Sequence, residues 1–142
     1  MNTSKTIFTY LLTDKGKYWK DVSVERVSPL TVGSNKTVYI VEIFTATEHE
    51  DDATDYAGIR FELEEFQKTI NECVTGRSYE NELKTVRLTQ NPVTPYLFEL
   101  TKYLKKQKYA VVLTMCEIRK LHEIQSQIKH ICDEDKKNTE RI

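Results

Sequence analysis

Cysteine, net charge and long apolar runs are what this 142-residue chain has little of. The three cysteines, Cys73, Cys116 and Cys132, are odd in number and form no CxxC pair. A disulfide framework and a zinc-ribbon site are therefore not expected, and reduced thiols in a reducing intracellular compartment are. Lys and Arg number 21 against 22 Asp and Glu, a net charge of -1. A simple nucleic-acid binder is usually more basic, so the totals weigh mildly against one. The apolar run from Ile7 to Leu12 is too short to cross a membrane, and no small-residue cleavage site follows it. With only four glycines, the chain has no phosphate loop, and it has no nucleophile elbow. No paired carboxylates on rigid elements stand out either. No enzyme and no cofactor are expected.

What the chain does have is a doubled pattern. "YIVEIFTAT" begins at Tyr39 and "YLFELTKYL" at Tyr96, each with Tyr, two apolar residues, Glu and another apolar residue. The first is followed by the acidic loop "EHEDDATD" and then by "GIRFELEEFQKTI". The second is followed by "KKQK" and then by "AVVLTMCEIRKLH". With Gly58 laid on Ala110, Ile59 falls on Val111, Phe61 on Leu113, Leu63 on Met115, Glu65 on Glu117, Phe66 on Ile118 and Lys68 on Lys120. Both stretches change period at the same place. Ile59, Phe61 and Leu63 alternate as on a strand, whereas Leu63, Phe66 and Ile70 have helical spacing. In the second copy "TMCE" reads as a capping box of Thr114 and Glu117, followed by a stripe of Ile118, Leu121, Ile124, Ile128 and Ile131.

The expected fold is α+β, with two repeats of a four-stranded antiparallel sheet followed by a helix. Strands are predicted near 6–12, 17–27, 36–47 and 56–62, with a helix over 63–74. The second unit is predicted to have strands near 77–80, 83–90, 95–104 and 108–113 and a helix over 114–132. The units divide as 1–76 and 77–135, linked near Gly76, and 136–142 reads as a charged, frayed tail. Two such units would bury their helices together in one compact domain, an internal pseudo-dimer, so a monomer or a homodimer is expected.

The order of strands, the "VSV" stretch before a "YIVEI" strand, and the strand-to-helix joins "GIRFELEEF" and "AVVLTMCEI" resemble the positive cofactor four family of single-stranded-DNA-binding transcription coactivators. At the level of fold they also resemble the Whirly proteins. The likeness spans nearly the whole chain. It implies a non-enzymatic protein that binds single-stranded DNA, or RNA, in transcription, replication or recombination, with partners in that machinery and no membrane. For a eukaryotic or viral chain it implies the nucleus. Where that family has a base-stacking aromatic at the end of the "YIVEI" strand, this chain has Thr47 and Leu104; where a basic residue is expected after "VSV" it has Glu25.

Charge is divided between the halves. Residues 83–130 contain nine Lys and Arg against three Asp and Glu, while residues 48–65 contain eight acids against Arg60 alone. Single-strand binders combine a positive groove with aromatic platforms. Lys102, Tyr103, Lys105, Lys106, Lys108 and Tyr109 interleave the two types across one predicted hairpin, with Lys84 and Arg87 on its neighbour. Lys15, Lys17, Tyr18, Trp19 and Lys20 form a smaller cluster in the first unit, in which Trp19 is as well suited to packing as to stacking. The acidic loop reads as solvated, as a phosphate mimic, or as a repellent for DNA. His49, His122 and His130 have no ligand spacing with Cys or carboxylates. The alternative function is a protein-interaction or assembly module that has kept such a fold and lost the nucleic-acid surface.

Overall fold

The computed structural model describes residues 2–29, 37–51 and 53–140. Alternation of apolar and polar residues sets the first sheet. In "DVSVE", Val22 and Val24 are fully buried while Asp21, Ser23 and Glu25 face the other side, as a pleated strand requires. Strands β1 (Asn2–Asp14), β2 (Tyr18–Pro29), β3 (Val38–Glu48) and β4 (Thr54–Glu62) pair antiparallel in that order. The β1–β2 ladder shifts register between Thr6 and Phe8 and again between Leu11 and Thr13. At the second shift Leu12 is buried and Leu11 is exposed. Lys36, at the predicted start of the third strand, lies outside the described residues.

Helix α1 (Leu63–Cys73) follows β4 directly, and its N-cap, Glu62, makes no side-chain capping bond. The helix ends before Gly76, whose φ of 77° is costly for any residue with a Cβ. The second sheet, β5 (Tyr79–Glu80), β6 (Val86–Gln90), β7 (Leu97–Leu104) and β8 (Gln107–Thr114), has the same antiparallel order. Helix α2 (Met115–Glu140) closes the chain. Its capping box is formed as the sequence predicts: Thr114 N donates to Glu117 Oε1 at 2.8 Å and Glu117 N to Thr114 Oγ1 at 3.2 Å. The molecule is thus α+β, with two four-stranded antiparallel sheets and two helices.

The end of α2 differs from the prediction in two ways. Helix α2 continues through Glu140, past residue 132 and through most of the predicted tail, of which 141–142 lie outside the described residues. Its far end is held by contacts no local pattern reveals: Asp135 accepts from Arg26 Nη1 and from the Tyr39 hydroxyl, each at 2.8 Å. The apolar stripe also finishes on Cys132, which is buried, with Ile131 only half-buried.

Buried residues from both halves form one cluster, including Ile43, Phe61, Phe66, Leu100, Leu113, Ile118 and Leu121. The helices cross between the halves. On α2, Glu117 accepts from Lys20 of β2, and Lys120 donates to the Leu12 carbonyl of β1 at 3.0 Å. On α1, Glu65 accepts from Lys102 of β7 at 2.6 Å. No helix among the described residues is long and apolar enough to cross a membrane.

Candidate nucleic-acid interface

The β7–β8 hairpin pairs Leu104 with Gln107, so Lys105 and Lys106 form a two-residue turn. Lys105 adopts φ 58°, a left-handed conformation that a non-glycine residue enters at a cost. The turn thereby lifts two lysines clear of the sheet, and neither makes an ion pair with the described residues. The same end of the sheet receives the start of β6, where Tyr103 N donates to the Thr85 carbonyl at 2.7 Å. Lys84, predicted on that strand beside Arg87, instead lies in the turn before β6, which starts only at Val86; exposed there at φ 57°, a left-handed conformation no strand residue adopts, it stands beside the hairpin. Four of the predicted cations, Lys84, Lys105, Lys106 and Lys108, are brought to one end of the second sheet.

Cross-strand register sorts the rest by face. Tyr103 is opposite Lys108, and Arg87 is opposite Thr101; all lie on the face turned away from the helices. Lys102 is opposite Tyr109, on the helix-side face. The two tyrosines, each 39% exposed, thus do not form one platform. Several of the cations are already partnered. Arg87 donates twice to Glu80, at 2.9 and 2.6 Å, and that carboxylate holds its guanidinium above the ordinary value. Lys108 is 3.4 Å from Glu99. Lys102 donates to Glu65 and to the Arg60 carbonyl, and stands 5.0 Å over the Phe61 ring.

The smaller predicted cluster in the first unit comes apart. Lys17 is exposed at the β1–β2 turn, where its carbonyl accepts from Glu48 N at 2.6 Å. Trp19 is half-buried on the outer face opposite Ala46. Lys20, one residue on, points inward: it is 2% exposed, and its ammonium donates to Glu117 at 2.6 Å. Its charge has no surface from which to meet a phosphate. Burial raises the Glu117 carboxyl, but bonds from Lys20, Thr13 and Thr114 outweigh that and hold it below its ordinary value.

The outer face of the first sheet is acidic. Asp21, Glu25 and Glu42 lie across neighbouring strands, with Arg60 reaching Glu25 at 2.9 Å and Glu42 at 3.8 Å. Glu42 is raised first by burial, lowered in part by Arg60, and raised again by Glu25 and Asp21. In the loop beyond, His49 contacts Asp55 at 2.6 Å and Asp51 accepts from Ala53 N at 3.2 Å; Asp52 lies outside the described residues.

Sequence reasoning missed a groove of about 730 Å³ where β4 meets β8. Tyr56, Leu104 and Tyr109 are among its apolar lining, with Phe61 at its base, and Arg60, Lys108, Glu42 and Glu62 are among its charged groups. Tyr56 is 63% exposed, and its ring packs against Phe44 at 5.4 Å between centroids. The only sequence signal for Tyr56 was an aromatic inside an acidic stretch. Compared with protein-family models, with curated proteins and with solved structures, the chain matches none.

Proposed function

We propose that this protein is a non-enzymatic binder of single-stranded nucleic acid, and that the hairpin end of its second sheet is the contact surface. The observation that carries this reading is the gathering of Lys84, Lys105, Lys106 and Lys108 around Tyr103 at one exposed end of one sheet. Ammonium groups there neutralise phosphates as point charges, without reading bases. Tyr103 supplies a stacking face on the same side as Lys108.

The architecture we propose is an internal pseudo-dimer of two related units of the positive cofactor four type. Support comes from register. Val41 pairs with Phe61 and Ile43 with Ile59 in one half; Phe98 pairs with Leu113 and Leu100 with Val111 in the other. These are the residues that the doubled sequence pattern puts in correspondence. Covalent linkage keeps each half at a high effective concentration for the other.

A salt titration of oligonucleotide binding tests the function. Each phosphate neutralised on a single strand contributes about 0.7 to the slope of log affinity against log salt. The parent protein should show a steep slope, and exchanging Lys105, Lys106 and Lys108 together for Glu should abolish binding with the fold retained. No binding by the parent at low salt would instead favour the second reading, a protein-interaction module. The acidic outer face formed by Asp21, Glu25 and Glu42 is the observation on that side.

A further inference from the structure

The groove between β4 and β8 is continuous with the lysine hairpin, because Lys108 and Tyr109 belong to both. Its volume, about 730 Å³, falls in the range of ligand sites, about 300–1,000 Å³. Tyr56 on the first sheet and Tyr109 on the second are both exposed, and Leu104 and the buried Phe61 add apolar surface between the sheets. Gly58 is also part of the lining, and a Cβ there would come within 3.3 Å of Glu42 Oε2, so that the Glu42 side chain would have to shift. The charged lining is divided. Glu42 and Glu62 belong to the first sheet, while the three cations of the lining already have carboxylate partners: Arg60 in Glu25 and Glu42, Lys102 in Glu65, and Lys108, which also belongs to the hairpin, in Glu99.

An anion entering beside Glu42 and Glu62 meets like charge, whereas a flat, neutral ring meets aromatic and apolar surface. Phosphates on the same strand find their counter-charge on the adjoining hairpin, at Lys105 and Lys106 of the turn and at Lys108, which also lines the groove. We propose that this groove receives unpaired bases of the bound strand, stacked against Tyr56 and Tyr109, while the phosphates run along the hairpin. This rests on the single-strand reading above and adds a reason for strand selectivity. Bases in a duplex are stacked and paired, so they cannot enter a slot between two sheets without first being unpaired.

The test compares an oligothymidine with an abasic phosphodiester oligomer of equal length, using the full chain and its Tyr56→Ala, Tyr56→Phe and Tyr109→Ala variants. Thermal melting of each variant verifies the fold. The parent should bind the oligothymidine more tightly than the abasic oligomer. Tyr56→Ala should weaken oligothymidine binding roughly 5- to 150-fold, the loss of one stacked base, and leave abasic binding and the salt slope unchanged. Tyr56→Phe, which keeps the ring, should behave as the parent does. Equal affinity of the parent for both oligomers, or a Tyr56→Ala loss of the same size on both, would overturn the groove while leaving phosphate binding at the hairpin in place. Failure of the parent to bind either oligomer at low salt would overturn both readings.

Discussion

Lys20 and Glu117, 97 positions apart, form an ion pair of 2.6 Å in which both side chains are almost completely buried. Glu117 is the third residue of α2; the third residue of α1, Glu65, accepts from Lys102 at the same distance. Each helix therefore places one carboxylate on a lysine of the other half. The two contacts differ in burial: Lys102 and Glu65 are 17% and 34% exposed, against 3% and 5% for Lys20 and Glu117. Removing one partner of the deeper pair leaves a buried charge uncompensated. Glu117→Gln should cost about 3–5 kcal/mol of stability, whereas replacing both, as Lys20→Met with Glu117→Gln, should cost much less than the two single losses added. Denaturant unfolding of the four proteins in the cycle measures this; additive losses would show that the pair is not coupled.

The same carboxylate sets a pH dependence. Glu117 is held below its ordinary value near 4.5 in the folded protein and returns to it on unfolding. The folded state thus binds this proton more weakly, and the contribution to stability is complete above about 4.5 and lost as pH falls through the folded value. Asp21 and Glu42, both raised by burial, act in the opposite sense. The parent's acid profile therefore mixes both signs, and the informative quantity is the stability difference between the parent and Glu117→Gln. That difference should be constant at neutral pH and shrink on acidification below about 4.5. A difference independent of pH down to strong acid would mean that Glu117 is not held low.

Thiol reactivity should separate the three cysteines. Cys73 and Cys132 are buried, and burial pushes them up to about 12 and about 11 respectively; Cys116 is exposed on α2. Attack on a disulfide reagent requires an accessible thiolate. At mildly alkaline pH the native protein should react rapidly at one thiol, and at three in denaturant. Cys116→Ser should remove the rapid phase. Two fast thiols in the native protein would show that one helix opens readily.

Folding should not depend on a second chain. The buried residues of both halves form one cluster, and α1 and α2 each bond to the opposite sheet. Unfolding midpoints should stay constant over a wide range of protein concentration, whereas a midpoint that rises with concentration would place part of this core between chains. A fragment of residues 1–76 lacks α2, and with it the carboxylate that neutralises Lys20; it should remain unfolded alone and gain structure when mixed with residues 77–142.

Local chemistry alone located the two places where a strand becomes a helix. Alternation through Ile59 and Phe61, and the Thr114–Glu117 box, depend on neighbours within four positions, so the sequence carries them in full. Which face of a strand meets a helix from the other half depends on partners about a hundred positions away. For this reason the cluster from Lys15 to Lys20 read as a basic surface although Lys20 is buried. The tail from residue 136 read as frayed although α2 runs on through Glu140, anchored just before the tail where Arg26 and Tyr39 hold Asp135. Tyr103 and Tyr109 looked like one platform until cross-strand register placed them on opposite faces. The groove between β4 and β8 exists only once two sheets meet, since no segment contains both of its walls. The sequence by itself determined the elements, their order and most of the core. Only the tertiary structure decided which charges are neutralised and where aromatic surface stays open, because both depend on long-range packing rather than on the residues beside them.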